Sequence, residues 1–558
     1  MAPQTRITKI VERLINGGTA SRAMGIITLL VPFLLHLYLT LSLSGWIMDD
    51  AGISFTYARN LAHGHGLVSQ PGLTPVEGYS NFLWVILMVP FFLLNIFDPF
   101  VTAKTVSLVL VAITFYYLHK SMCHLTNGKP MVSFTVLICL ALNTSFTVWT
   151  CSGLENPLFA ALIAALFYLQ LLYLDKKYSP KPTPLIVGLL VGGIAMTRPD
   201  GIAYFFVFPF IIVLGFLSKK RPTVGVLLRA FSVYAVTLIV VYGGFILFRY
   251  LYFGEFLPNT YYAKGGPSLS TLVPALTLQG KYLTKFQQLA ASVLGTWWWW
   301  WVPVGWLSLL TLALSRREHW RKYLLLLAMT FTAGFVYIIM PNDWMGEYRF
   351  ATPFFLFVYC CLVLLGRFLI TGLPLRRIGR RALGGLLFIC ILYLSAATHL
   401  PRLEEFSKRK VVNFTRIARA YGERFNNYAE FLQLEKASFL VPDIGGTLYY
   451  SKLRIYDLAG LCDKTIARTR GKDQQRFYDY VFDSLKPTFI HTHGYFTGVS
   501  KFDDDPRFRR DYVAIKEYQD KYVERKYKAS RISGNFVRRD QIQGREAQLD
   551  SLRQGHLP

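Results

Sequence analysis

The chain has 558 residues, 53% of them apolar, with a formal charge of +27 and a mean hydropathy of +0.34. That balance excludes an ordinary soluble protein, and apolar runs near the roughly 20 residues needed to cross a bilayer indicate a polytopic helical membrane protein. The charge is not a nucleic-acid footprint, because the basic residues cluster in short loops between apolar runs (Lys176-Lys177, Lys219-Lys220-Arg221, Arg316-Arg317 with Arg321-Lys322, Arg376-Arg377 with Arg380-Arg381), the positive-inside pattern that sets topology.

At the N-terminus, Arg6, Lys9, Arg13 and Arg22 precede an apolar run over 24–43 that lacks a small-residue cleavage site. A retained first helix with a cytoplasmic N-terminus is expected. Further apolar segments lie at about 82–97, 101–118, 131–148, 157–174, 184–197, 201–218, 229–250, 292–314, 323–340, 352–370 and 382–400. If every segment crosses, the basic loops fall outside, against the positive-inside pattern. The 82–97 segment is short and is followed by Asp98-Pro99, a helix break. It is therefore expected to be re-entrant, interfacial or kinked, leaving eleven spans and an external C-terminus.

The tryptophans Trp297 to Trp301 fit an interfacial belt better than a sugar-stacking platform. Seven cysteines show no metal spacing, and six lie in or beside apolar segments, so no disulfide framework is implied. From about Pro401 charged residues rise and apolar runs shorten. Asp443 to Tyr450 suggests a strand, a turn and then a helix or second strand, while Arg454 to Leu461 and Pro487 to Gly494 suggest further strand ends. The expected fold is mainly α: a transmembrane bundle over 1–400 with a first outer loop at 45–81, and a C-terminal extracytoplasmic α/β domain over 401–558. The polar portion after Gln541 is expected to be frayed.

With that topology five weakly basic stretches share the outer face: the first loop, 152–157, 197–201, 257–264 and 342–350. Asp49 and Asp50 open the first. Adjacent carboxylates there could serve as a general base, bind a divalent cation, or be solvated loop acids. Arg59, Arg198, Lys264 and Arg349 each lie near a membrane boundary; singly each could snorkel, but together they fit an anion such as a lipid phosphate. Tyr261 and Tyr262 could bind a phosphate or a sugar, or be ordinary interface aromatics. His63 and His65 stand two residues apart with no third ligand in view, as do His491 and His493, so no metal site is expected. Glu155 either caps a helix or orients a site residue. Asp343 and Glu347 with Arg349 could be a local ion pair. No Walker loop, dinucleotide glycine pattern or serine elbow occurs.

The order Asp49-Asp50-Ala-x-Ile-Ser-Phe-x-Tyr57-Ala-Arg59-Asn60, Gly64-His65-Gly66, Val76-Glu77-Gly78-Tyr79-Ser-Asn81-Phe-Leu-Trp84 resembles GT-C glycosyltransferases related to the actinobacterial terminal arabinofuranosyltransferases. Ser152-Gly-Leu-Glu155, Thr197-Arg198-Pro-Asp200, Leu257-Pro-Asn259-Thr-Tyr-Tyr-Ala-Lys264, Asp343-Trp-Met-Gly-x-x-Arg349-Phe, and Asp443-x-Gly with Asp457-Leu-x-Gly-Leu-x-Asp463 follow in the same order. Asp200 and Trp344 are mild departures. The resemblance implies transfer with inversion, on the extracytoplasmic side of the plasma membrane, from a polyprenyl-phosphate-linked sugar, a pentose such as arabinofuranose first. The implied acceptor is an envelope glycan, a lipid or a protein. It implies Asp49 as general base with Asp50 assisting, and Arg59, Lys264, Arg349, Arg198 and Tyr261 at the donor phosphate. His65, Glu77, Tyr79, Asn81, Glu155, Asn259 and Asp343 would contact substrate. A divalent cation is optional, since a monophosphate leaving group carries less charge than a diphosphate. The alternative is a transporter or flippase of a lipid-linked sugar, and a weaker one an envelope-assembly protein without catalysis.

Overall fold

The computed structural model describes residues 19–175, 182–217, 222–265, 269–295, 301–315, 320–341 and 343–555. The basic groups at 176–177, 219–221 and 316–317, the N-terminal Arg6, Lys9 and Arg13, and the tryptophans 297–300 lie outside these residues.

Every expected apolar segment contains helix. Among the described residues, eight helices are long and apolar enough to cross a membrane: Met24–Ser42, Val101–Thr126, Asn156–Asp175, Pro199–Phe216, Val224–Phe253, Trp320–Ile339, Arg349–Gly372 and Arg377–Lys408. A ninth arises if Pro130–Leu142 and Thr144–Thr150, bent by 69°, form one span. The expected eleven is reached only by adding the shorter Thr183–Thr197 and Val302–Thr311. The bend has a local cause. Asn143 accepts the Phe146 amide at 2.8 Å and so caps a new helix, while His399 lies against the freed Thr144 amide.

Phe82–Leu93 has 12 residues. At about 1.5 Å per residue it extends roughly 18 Å, well short of a hydrocarbon core about 30 Å thick. Asp98 then starts the next helix, its Oδ1 accepting the amides of Phe100 at 2.8 Å and Val101 at 2.7 Å. The expected segment 292–314 is divided. Its first residues belong to an amphipathic helix, Lys281–Leu294, whose buried Lys285 donates to the carbonyls of Ile338 and Met340 and so caps a neighbouring span.

The last long helix continues through Pro401 to Lys408, and a small sheet domain follows it. Its sheet comprises β1 (Ser438–Val441), β2 (Arg454–Asp457), β3 (Phe489–Thr492), β4 (Tyr512–Gln519) and β5 (Ile532–Arg538), in the order β2-β1-β3-β5-β4. β2, β1 and β3 are parallel; β5 runs antiparallel to β3 and β4. Both faces are covered, as the apolar β1 and β3 require. Leu440, Ile490 and Phe536 pack with Phe477 and Phe482 on one side. Phe439 and Phe489 meet helix Arg424–Phe431 on the other, where Phe425 stacks on Phe439 at 3.8 Å. From Gln541 to Gly555 the tail is ordered rather than frayed. Glu546–Arg553 is a helix that buries Leu549 and Leu552, an i, i+3 apolar pair in an otherwise polar stretch.

Domain and bundle meet at the first loop, 45–81. Asp49 donates its amide to Val412 O at 3.2 Å and Phe414 donates to Ile47 O at 3.0 Å, a short antiparallel bridge. Trp46 Nε1 adds a bond to Val411 O at 3.0 Å. The two ends of the membrane module, some 365 residues apart in sequence, are thereby tied together.

Candidate active site

The first loop folds as a buried helix, Ala51–Ala62, followed by an irregular return to Asn81. Two further loops bond that return directly, and a third bonds it through Glu155. Asn81 accepts from Ser54 Oγ at 3.1 Å and donates to Glu155 Oε2 at 2.9 Å. Glu155 Oε1 receives Arg198 Nη1 at 3.1 Å, and Arg198 also grips Asp200 with two nitrogens, at 3.0 and 3.2 Å. The fifth stretch joins through Asn156 Nδ2, which donates to Arg349 O at 3.1 Å, and through rings, the Arg198 and Arg349 guanidiniums lying 4.8 and 4.7 Å from the Phe350 ring centre. Arg349 itself pairs with Asp343 at 3.0 Å. The 257–264 loop docks elsewhere on the same return. Asn259 donates its amide to Glu77 O at 3.1 Å and its side chain to Gly460 O and Leu461 O at 2.8 and 2.9 Å. Met48 N bonds Ser152 O at 2.9 Å. All five stretches therefore form one hydrogen-bonded assembly.

Charge matching decides which of these groups are free. Arg198 is buried between two carboxylates and Arg349 is mostly buried on one. Glu77 is buried against Arg249 at 2.6 Å. Arg59 donates to Tyr449 O at 2.9 Å and lies 4.7 Å above the Tyr449 ring, so it serves the domain junction. A buried charge without such partners costs several kcal/mol, which explains why these groups are committed. Lys264 differs. Its side chain is 47% exposed and its Nζ stands 3.6 Å from Asp50 Oδ2. Tyr261, on the same short helix, is 37% exposed.

The two adjacent acids face different surroundings. Asp50 is partly exposed and faces Lys264. Asp49 is buried, its Oδ1 accepting the Gly446 amide at 2.7 Å and its Oδ2 the Gly445 amide at 3.1 Å. These amides open helix Gly445–Tyr450 of the soluble domain. Burial drives the Asp49 carboxyl well above the ordinary carboxylate range; the two amides oppose the rise, and the nearby carboxylates of Asp443 and Asp50 add to it. The approach admits no side chain. A Cβ on Gly445 would lie 1.8 Å from Asp49 O, and one on Gly52 would lie 2.5 Å from Gly445 O. Glycine at both positions lets two backbones touch.

Of the remaining expected residues, Tyr79 is buried with its ring 4.8 Å from that of Tyr57, and its hydroxyl has no hydrogen-bond partner among the described residues. His65 is exposed, and its side chain makes no hydrogen bond among the described residues. No group of three or more His, Cys, Asp or Glu among the described residues is arranged to hold a metal ion. Sequence reasoning missed Arg249, which was placed inside an apolar run. An arginine near the end of a span was the available signal, since intramembrane charges are paired. It also passed over the partners of His493, which bonds Asp443 at 2.8 Å.

A family model described as a domain of unknown function (DUF8728) matches residues 414–538. No curated protein matches the chain. The fold is similar to that of oligosaccharyltransferase AglB from Archaeoglobus fulgidus, solved with an inhibitory peptide and a dolichol-phosphate, at TM-score 0.53 and 12% identity over 84% of this chain and 69% of that one. ArnT from Cupriavidus metallidurans, bound to undecaprenyl phosphate, gives TM-score 0.52 and 12% identity over 85% and 93%. Arabinofuranosyltransferase AftD from Mycobacteria gives TM-score 0.44 and 14% identity over 88% of this chain and 39% of that one. At these identities the first two likenesses show the fold alone; the third adds nothing to it, and no family or subgroup is singled out.

Proposed function

We propose that this protein is a membrane glycosyltransferase that moves a sugar from a polyprenyl-phosphate donor to an acceptor hydroxyl or amide, with inversion. One observation carries the reading: five loops from distant parts of the chain interlock to leave a partly exposed Asp50 and Lys264 side by side beneath the soluble domain. The architecture supports it, because two proteins of the same fold were solved with dolichol-phosphate and undecaprenyl phosphate.

Displacement at an anomeric carbon needs a base for the incoming nucleophile and a cation for the departing phosphate. Lys264 is the basic side chain best placed to receive the phosphate, with Tyr261 beside it. The burial of Asp49 favours giving the proton-accepting role to Asp50. Asp49 then becomes a positioning residue that fixes the backbone from which Asp50 projects. Arg198, Arg349, Glu155, Asn81, Asp343 and Glu77 hold the loops, and Arg59 and Asn259 hold the domain against them. A pentose such as arabinofuranose, and an envelope glycan, glycolipid or protein acceptor, remain the favoured substrates. The active site and soluble domain share one membrane face, proposed as extracytoplasmic.

The test is transfer by the purified chain from a polyprenyl-phosphate pentose or hexose. Asp50→Asn is expected to fold normally and lose transfer by about 10²–10⁴-fold, the usual contribution of a positioned base. Undiminished transfer by that variant would remove Asp50 from the mechanism.

A further inference from the structure

The helix Val101–Thr126 is long and apolar enough to cross a membrane and carries a lysine near each end. Lys104 lies beside the first loop, where its Nζ donates to Ser44 O at 2.6 Å. Lys120 stands roughly 24 Å further along the axis, at about 1.5 Å per residue, and so reaches the opposite membrane boundary. Its Nζ is 5.5 Å from the ring centre of Tyr116. Asp175, the carboxylate at that end among the described residues, is held by Lys322 at 2.7 Å and by His124 at 2.5 Å. The charge of Lys120 is therefore left uncompensated.

Between the two lysines an open apolar groove of about 570 Å³ runs along this helix from Thr105 past Leu108 and Ala112 to Tyr117, with Phe33 of the first span on its other side. At the Lys120 end the Tyr116 and Tyr117 rings meet at 5.4 Å, and Tyr117 reaches Tyr168 of the neighbouring helix Asn156–Asp175 at 5.9 Å. The groove thus closes on three phenols and an ammonium group.

We propose that this groove binds an anionic phospholipid of the leaflet opposite the candidate active site, with its phosphate at Lys120 and one acyl chain along Ala112 toward Thr105. The dimensions suit a single chain. From Tyr117 to Thr105 the groove extends roughly 18 Å, against about 15 Å for one leaflet of a core some 30 Å thick. Its apolar wall confers no preference by itself, because lipid tails are as apolar as the side chains they would replace. Selection comes from the headgroup. An ammonium group without a carboxylate partner favours a net negative headgroup over a zwitterionic one, and phenol hydroxyls donate to phosphate or glycerol oxygens. A lipid phosphate entering from the active-site leaflet would meet Lys104 instead, whose ammonium is already directed at Ser44 O. The bound lipid would brace the first span, whose Leu30, Leu34 and Tyr38 are exposed, against its neighbour. That span leads into Trp46 and the acid pair, so the lipid supports the candidate site from the far side of the membrane. The proposal does not rest on the transferase reading.

The experiment is native mass spectrometry of the full chain released from nanodiscs of phosphatidylglycerol and phosphatidylcholine in equal parts, doped with polyprenyl phosphate, without sugar donor or acceptor. The wild type is expected to retain one phosphatidylglycerol, preferred over phosphatidylcholine by about fivefold, the usual worth of one lysine at an anionic surface. Lys120→Gln should abolish that preference. Ala112→Trp, at an exposed position, fills the groove and should lose the retained lipid of either kind. Arg380→Gln removes an exposed cation in the first turn of Arg377–Lys408, at the same boundary but away from the groove, and should behave as wild type. Equal retention by wild type, Lys120→Gln and Ala112→Trp would overturn the proposal, as would a wild type that retains both phospholipids equally. Loss of the preference in Arg380→Gln as well would overturn it in favour of general surface charge. Retention of polyprenyl phosphate in place of phospholipid, or a dimer that Ala112→Trp dissociates, would overturn it in favour of a donor-lipid tail or a second copy of the chain.

Discussion

At the scale of single residues, the acid pair divides by accessibility. Asp49 and Asp50 are neighbours in sequence, yet one carboxylate is sealed under two glycine amides and the other looks toward a lysine. Asp49→Asn replaces an acceptor-only group by one whose NH₂ must face an amide N–H. It is expected to loosen the junction, seen as faster proteolysis between 409 and 445, whereas Asp50→Asn should leave proteolysis unchanged. Gly445→Ala tests the same contact from the other side. Its Cβ would meet Asp49 O at 1.8 Å, so the backbones must separate at about 1–3 kcal/mol or more. A lowered unfolding midpoint for the soluble domain, with accelerated hydrogen exchange at 47–52, is the expected outcome; wild-type exchange would show that the close approach is not maintained in solution.

At the scale of elements, the apolar helices were legible because their periodicity and length are physical requirements of the bilayer. β2 and β3 were legible too, as short apolar runs ending in Asp457 and in His491-Thr-His493. Glu546–Arg553 was not: its composition is polar, and only the Leu549–Leu552 pair marks a buried face. The network Asn81–Glu155–Arg198–Asp200 was half legible. Four arginines and lysines near one face suggested a phosphate site, but sequence does not show that Asp200, Asp343 and Glu155 neutralise most of that charge. β2 carries a pH prediction of its own. Burial raises the carboxyl of Asp457, at the end of β2, to about 7, against the pull of the Cys462 and Ala459 amides. The folded state then holds this proton more tightly than the unfolded chain, so its contribution to stability falls as pH rises from about 4 to about 7. The stability difference between wild type and Asp457→Asn, followed by denaturant unfolding of the soluble domain, should shift against the wild type by a few kcal/mol across that window, at about 1.4 kcal/mol per unit. A difference independent of pH would mean that Asp457 is ionised throughout.

At the scale of the whole molecule, the soluble domain is part of the site rather than an appendage. Asn259 binds Gly460 and Leu461, Arg59 binds Tyr449, and Asp49 binds Gly445 and Gly446, so two separate loops, the first of them at two points, are closed by one domain. The order of motifs along the chain pointed to this architecture, while contacts between residues some 390 apart could not be read from one sequence. The central claim is catalysis of sugar transfer, and it is tested most directly with the purified chain, a labelled polyprenyl-phosphate pentose and a parallel hexose donor, and a membrane acceptor fraction. The expected result is label transferred from one donor with inverted anomeric configuration, abolished by Asp50→Asn. Movement of intact lipid-linked sugar across vesicle bilayers, with no donor consumed by wild type, would contradict it.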